Sequence, residues 1–292
     1  MPSVAFVTYQ ASPLMTEDDR LAAEELEQAG VAVSSAVWDS AGVNWPSFDC
    51  VVIRSAWDYH LKPDGYRKWI RGFEPDRRLL WNPPAAVLEN MNKRYLTVLA
   101  TKGVNVVPTR YLVAPGEPRL QALLEEYGWD EAVVKPAVSA SALGTWRTSL
   151  TTASVDQARF AEQASDQDTL VQPYLPEIAA PGEWSFIFFG GRYSHAVLKK
   201  PAPGDFRVQR HHGGHATAAE PDPALVDQAE AILRAIGHEF LYARLDGIDR
   251  GGRFMLMEAE VNEPYLFIGL SKGAAGRFAE AIIRVLPGSR QP

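Results

Sequence analysis

The stretch Met255-Leu256-Met257-Glu258-Ala259-Glu260-Val261-Asn262 alternates apolar and oxygen-bearing side chains, the period of a β-strand with two unlike faces. Alternation puts Met255, Met257, Ala259 and Val261 on one face and Glu258, Glu260 and Asn262 on the other. Taken alone, the same pattern also describes an edge strand with a solvated polar face. The preceding stretch, Tyr242 to Ile248, supplies a partner: Arg244 and Asp246 share one of its faces, and Gly251 and Gly252 provide a turn that pairs the two runs. Asp246 is then expected to meet Glu260 across the pair. Clustered carboxylates repel one another unless a cation sits among them, and Mg²⁺ takes carboxylate and carbonyl oxygens. Asp246, Glu260 and Asn262 are therefore the candidate metal ligands.

Upstream, Val133-Val134-Lys135-Pro136 reads as a strand entering a loop of small residues, Ser139 to Thr145. Small residues let backbone amides approach an anion, and Lys135 adds a point charge. The spacing of a Walker loop is absent, and a mobile surface loop is the competing reading. In Leu170-Val171-Gln172-Pro173-Tyr174-Leu175-Pro176, two prolines break a strand and free backbone polar groups, which suits an adenine edge or an interdomain linker. Lys93 opens a helix and on its own is an ordinary exposed lysine.

The beginning of the chain alternates strand, helix and strand at Val4 to Thr8, Asp18 to Ala29 and Val31 to Val37, the mark of a parallel α/β unit. A third buried strand, Phe48 to Arg54, presents Arg54, Trp57, Asp58 and Tyr59 at its carboxyl end, the usual ligand side of such a sheet. Arg54 is a candidate partner for a substrate carboxylate, Asp58 for an amine, and Trp57 and Tyr59 for aromatic walls around a small amino acid. The middle section is α+β, so the fold class is α/β and α+β. Domains are expected at residues 1–86 (N-terminal α/β), 87–175 (central, with the phosphate lid) and 176–292 (C-terminal, with the metal site). Phe206 to Ala219 follows neither period and reads as a loop that orders on binding. Its His211, His212 and His215 lack the cysteines or tight ligand set of a zinc site. Lys199 and Lys200 are adjacent on a strand, so at most one faces the site.

With 292 residues, 46% hydrophobic and 22% charged, the chain has ample apolar surface for more than one core. A net charge of -7 speaks against nucleic acid as a partner. Cys50, the only cysteine, sits in the apolar run Cys50 to Ile53 and reads as a core thiol. The N-terminus lacks a basic segment before a long apolar stretch, and no apolar run is long enough for a membrane helix. A cytoplasmic protein is expected.

In chain order, Lys93, Val134-Lys135-Pro136 with its small-residue loop, Gln172-Pro173-Tyr174-Leu175-Pro176, Glu183, Arg207, Asp246 and Glu260-Val261-Asn262 resemble the ATP-grasp superfamily. The Gln-x-Tyr-Leu-Pro hinge and the Glu-x-Asn strand are similar to bacterial glutathione synthetase and its relatives. The N-terminal unit resembles their substrate-side domain. The resemblance implies an ATP-grasp fold and ATP and Mg²⁺ as cofactors. Lys93, Lys135, Ser141 and Gly144 would face the phosphates, Gln172, Tyr174 and Leu175 the adenine, and Glu183 the ribose. Asp246, Glu260 and Asn262 would hold magnesium, with Arg207 and Lys135 as the catalytic cations and Arg207 steadying an acyl phosphate. Two departures stand out: the lid carries only Gly144, and Pro173 removes a backbone donor from the hinge. The implied reaction converts a small amino acid's carboxylate to an acyl phosphate, which a nitrogen captures with release of ADP and phosphate. The chain is also similar to small ligases of specialised metabolism, the D-cycloserine synthetase family among them, in which O-ureido-D-serine closes into a ring. An intermolecular carboxylate-amine ligase and a non-catalytic ATP-binding regulator are the alternatives. The resemblance also implies a homodimer.

Overall fold

Buried backbone polar groups need partners, and the apolar runs of this chain find theirs in three sheets. The computed structural model describes residues 1–76 and 79–288. The first sheet has order β2-β1-β3-β4. It is parallel throughout and comprises β1 (Ser3–Thr8), β2 (Ala32–Val37), β3 (Cys50–Ile53) and β4 (Leu80–Trp81). Helices α1 (Glu17–Gln28), α2 (Pro63–Arg71) and α3 (Pro84–Asn90) accompany it, and α4 (Tyr95–Thr101) leads away from it.

The second sheet, order β5-β8-β6-β7, is antiparallel. It consists of β5 (Arg110–Leu112), β6 (Glu131–Pro136), β7 (Trp146–Ser149) and β8 (Thr169–Pro173), with α5 (Leu120–Tyr127) and α6 (Ala153–Asp166) packed together. The third runs β11-β10-β9-β12-β13. Its strands are β9 (Glu183–Phe189), β10 (Arg192–Lys200), β11 (His215–Ala218), β12 (Tyr242–Asp249) and β13 (Phe254–Glu260), with α7 (Pro223–Ile236) and α8 (Ala274–Val285). The sheets draw on residues 3–81, 110–173 and 183–260, but the cores cross these spans. Phe6 and Leu26 share one apolar cluster with Phe189, Phe278 and Ile282, because α8 packs on α1. Among the described residues no helix is long and apolar enough to cross a membrane.

Three sequence expectations are corrected. The stretch read as an irregular loop contains β11, whose His215 pairs with Lys200 at the sheet edge. Prolines 83 and 84, which by sequence read as a break disfavouring helix and strand alike, instead open a helix, with Pro84 at its first position, where the missing N–H costs nothing. The alternation of β13 is broken by a bulge: Asp246 pairs with Glu258, but Gly247 pairs with Leu256, leaving Met257 as the extra residue. Leu256, Ala259 and Val261 therefore share the core, while Met257, Glu258 and Glu260 face a cavity. Arg244, and not Asp246, lies opposite Glu260. Glycine is required at 247, since a Cβ there would stand 2.2 Å from the Met255 carbonyl oxygen.

A fourth correction concerns Arg54, read as a substrate contact. Thr16 caps α1 by accepting from the Asp19 amide and donates to Asp19 Oδ2. Asp19 Oδ1 then accepts from Arg54 Nε at 2.7 Å, with both side chains 2% exposed. The guanidinium lies over the Tyr242 and Phe278 rings and donates to the Pro264 carbonyl at 3.0 Å. A cation this enclosed must be paired, and this one ties the first sheet to the end of the third. Arg54→Met is expected to cost about 3–5 kcal/mol by leaving Asp19 buried without its cation, with much of the loss restored by a second change, Asp19→Asn. Urea unfolding of the two variants measures both terms.

Candidate active site

The third sheet presents charged side chains of alternating sign to one cavity of about 510 Å³, a volume in the usual range for a bound small molecule. Strand register sets the sequence of charges. Lys199 pairs across from Glu183, and its Nζ lies 2.5 Å from Glu183 Oε1 and 3.1 Å from Asp246 Oδ2. Arg244 Nη2 lies 2.9 Å from Asp246 Oδ2 and also contacts Glu260. Ser185 donates to Asp246 Oδ1 at 2.5 Å. From the opposite wall Lys93 reaches Glu258 at 3.2 Å while donating to the Ser139 carbonyl at 2.9 Å.

Burial and neighbours pull these groups apart. Burial works to raise Asp246, but Arg244 and Lys199 overcome it and hold the carboxyl down to about 2. Burial dominates at Glu260 and lifts it to about 7 against the pull of Arg244, with Asp246 and Glu258 adding repulsion. Burial likewise raises Glu263 to about 8, reinforced by Glu260, and lowers Lys135. Lys199, Lys93, Arg207 and Arg244 each have a carboxylate partner, and Glu183, Asp246, Glu258 and Glu260 each have a cationic one. Among the described residues lining the cavity, Lys135 and Glu263 are the Lys, Arg, Asp and Glu side chains without a direct ion pair, Glu258 acting on Lys135 and Lys93 on Glu263 only from farther off.

The cavity gathers Lys93, Lys135, Ser141, Gln172, Leu175, Glu183, Arg207, Asp246 and Glu260 from the sequence reading, together with Trp57 and Tyr59. Gln172 donates to Thr109 Oγ1 at 2.8 Å, and an apolar slot of Val107, Leu175, Ile178 and Val208 lies beside it. Arg207 is engaged by Asp205 through Nε at 3.1 Å and Nη2 at 2.8 Å. The small-residue loop bends through left-handed conformations at Ser141 and Ala142, with φ of 57° and 56°. His211 donates to its Ser141 carbonyl at 3.0 Å, so two loops meet above the cavity.

Other residues from the sequence reading are not brought to the wall. Gly144 packs on Pro136, where a Cβ would meet Cγ at 2.8 Å, so its glycine serves the turn. The Tyr174 ring lies under the Arg147 guanidinium at 3.7 Å. Asp58 is occupied by Trp38 Nε1 at 2.7 Å and Lys62 at 3.2 Å, which removes it as an amine partner. Asn262 is buried, and its Oδ1 accepts from the Tyr66 hydroxyl at 2.7 Å. Its Nδ2 has no partner among the described residues. Turning the amide over would give Nδ2 the Tyr66 oxygen and leave Oδ1 free for a cation. Asp246 and Glu260 line the cavity and offer carboxylate oxygens of the kind a hard divalent ion takes, whereas Asn262 is not part of its lining.

The chain after β13 is held unusually firmly. Carbonyls 261 to 266 each meet a side chain from elsewhere: Val261 meets Asn82 at 2.7 Å, Asn262 meets Tyr242 at 2.7 Å, Glu263 meets Trp57 at 3.0 Å, Pro264 meets Arg54 at 3.0 Å, Tyr265 meets Arg244 at 2.9 Å and Leu266 meets His195 at 3.0 Å. This segment brings Glu263, Tyr265 and Phe267 to the cavity. The sequence reading had assigned none of the three a role, nor one to Arg244, Lys199 or Glu258. The shared face of Arg244 and Asp246 was the available signal for the charge series, whereas nothing local marked Glu263.

The three sheets, with the cavity and its lysine and carboxylate walls, give the chain the ATP-grasp fold. Residues 4–82 match the family described as D-cycloserine synthetase DcsG, N-terminal domain. Over 94% of its length the chain is 29% identical to the cycloserine biosynthesis protein DcsG of Streptomyces lavendulae, spanning 93% of that protein. The crystal structure of D-cycloserine synthetase DcsG superposes with a TM-score of 0.87 at 25% identity, covering 97% of this chain and 99% of that one. The ATP-grasp ligase PsnB, in complex with a minimal precursor, Mg and ADP, shares the fold at a TM-score of 0.64 and 14% identity, with 97% of each chain covered.

The support of the 261–266 segment carries a pH signature. Burial pushes the His195 imidazole from 6.5 down to about 4, so the folded protein keeps it neutral where the unfolded chain binds a proton. The unfolded state then holds more protons between these values, and stability falls as pH drops through that window, by roughly 3 kcal/mol in all. His195→Gln is expected to flatten this limb relative to the wild type in urea melts at stepped pH.

Proposed function

We propose that the chain is an ATP-dependent ligase that activates the carboxylate of a small amino acid and closes it onto a nitrogen of the same molecule, with O-ureido-D-serine as the substrate and D-cycloserine as the product. The observation that carries this reading is the cavity wall itself. Two lysines, Lys93 and Lys135, face the acidic series Asp246, Glu258 and Glu260, with an apolar slot and aromatic residues in the same lining. A regulator that only bound nucleotide would have no need of that acidic series.

In this reading the adenine enters the slot beside Gln172, Pro173 and Leu175, and Glu183 accepts from the ribose hydroxyls. Lys93 and Lys135 meet the phosphates under the Ser141 loop, Lys135 without first having to give up an ion pair. Asp246 and Glu260 would hold Mg²⁺, which when bound neutralises phosphate charge. The substrate carboxylate attacks the γ-phosphorus and ADP leaves, giving an acyl phosphate. Arg207, once released from Asp205, and Lys135 offset the charge on its oxygens. The oxygen-bound ureido nitrogen then attacks the acyl carbon and expels phosphate, and hydrolysis of the carbamoyl group that this nitrogen still carries releases carbon dioxide and ammonia to leave D-cycloserine. Closure of the Ser141 and His211 loops keeps water from competing for that intermediate.

Purified protein with ATP and Mg²⁺ is expected to release ADP and phosphate with O-ureido-D-serine and no added amine. A strict requirement for an amine would establish the intermolecular ligase, and AMP with pyrophosphate would overturn the acyl-phosphate route. Lys135→Ala is expected to lower kcat/KM by about 10²–10³ with little change in melting temperature, since Glu258 retains Lys93.

A further inference from the structure

Charges enclosed by protein are stable only when something neutralises them. In the cavity lining two groups make no direct ion pair among the described residues, Lys135 and Glu263. In the ligase reading the phosphates of ATP satisfy Lys135, which leaves Glu263.

Several features show that this side chain is held ready for a ligand. Its backbone carbonyl accepts from Trp57 Nε1 at 3.0 Å, and the carbonyls on either side are fixed by Tyr242 and Arg54. The segment therefore has little freedom to carry the carboxylate to a partner elsewhere. Glu263 lines the cavity together with Trp57, Tyr59 and Tyr265, and it lies near enough to Tyr59 to act on that hydroxyl electrostatically. A carboxylate with aromatic rings around it is the arrangement that binds an alkylammonium group, through one ion pair and the negative faces of the rings. The neighbouring Asp58, which the sequence offered as the amine partner, is spent on Trp38 and Lys62.

We propose that Glu263 and this aromatic wall bind the α-ammonium group of the substrate and make the enzyme selective for carboxylates that carry a free cationic amine. This inference rests on the ligase reading and deepens it. With the ammonium at Glu263 and the phosphates at Lys135, the substrate's carboxylate is directed towards the intervening cations Arg244 and Lys93. The paired ammonium is also withheld as a nucleophile, so the ureido nitrogen is left to capture the acyl phosphate.

The test compares O-ureido-D-serine with its des-amino counterpart, 3-(ureidooxy)propanoate, in the wild type, Glu263→Gln and Glu263→Asp, reading ADP release. The wild type is expected to prefer the amine-bearing substrate in kcat/KM by about 10²-fold or more, as sites built around a buried polar group do. Glu263→Gln is expected to reduce that preference to within about tenfold, chiefly through KM for the amino acid. Glu263→Asp should keep part of it. KM for ATP should be unchanged in both variants, which reports an intact fold. A preference that survives in Glu263→Gln overturns the assignment. So does a raised Mg²⁺ requirement with the preference intact, which would make Glu263 a metal ligand. An absence of ADP release from the wild type with any amino acid overturns the ligase reading and this inference with it.

Discussion

Carbonyls 261 to 266 have no sheet partner, yet they run through the interior, and six side chains from separate parts of the chain meet them one by one. A buried carbonyl without a donor costs roughly 1–3 kcal/mol, so the segment can exist in this path only because Asn82, Tyr242, Trp57, Arg54, Arg244 and His195 converge on it. Two of the donors, Arg54 and Trp57, come from the end of β3, and Asn82 follows β4. The first sheet is thereby locked to the third through polar contacts as well as through the α1–α8 packing. The side chains of the segment inherit that rigidity, which is what a substrate-facing surface needs, since small displacements of a reacting group are costly in rate.

The charge series on the third sheet obeys a related constraint. Glu183, Lys199, Asp246, Arg244 and Glu260 neutralise one another in turn, so removing Lys199 leaves Glu183 unpaired and removing Arg244 leaves Glu260 unpaired. The neutralisation is uneven. Asp246 has two cations and stays ionised, whereas Glu260 shares Arg244 with it and is lifted to about 7 by burial. Glu260 is thus under-compensated as it stands, and an added cation at its oxygens would relieve it.

Much of the fold could be read from the chain because local pattern and tertiary need agree there. The parallel unit, the β9–β10 hairpin and the β12–β13 pair each show their period and their turn glycines. The readings failed where the deciding partner was remote. Arg54 looked like a ligand contact because a conspicuous arginine at a strand end is ambiguous until Asp19 and the Pro264 carbonyl are placed beside it. Asp58 was misread for the same reason, its partners Trp38 and Lys62 being invisible to a scan for motifs. The bulge at Met257 had one local sign, Gly247 inside an otherwise strong strand, and missing it put Asp246 opposite the wrong glutamate. β11 escaped because an edge strand of four residues takes its identity from β10 and carries little pattern of its own. Glu263 was silent because its distinguishing property is the partner it lacks, which only a three-dimensional account of every neighbouring charge can reveal.

Arg244 connects the two constraints. Its Nη1 holds the Tyr265 carbonyl at 2.9 Å, while Nε and Nη2 hold Asp246 and Nη2 reaches Glu260. Only a planar fork of N–H donors can face a carbonyl and two carboxylates at once, and a lysine in its place would have to choose among them. Occupation of the carboxylates by a cation competes for the same guanidinium that fixes the backbone beside Glu263. One rigid side chain therefore links the carboxylates of the charge series to the backbone that follows Glu263.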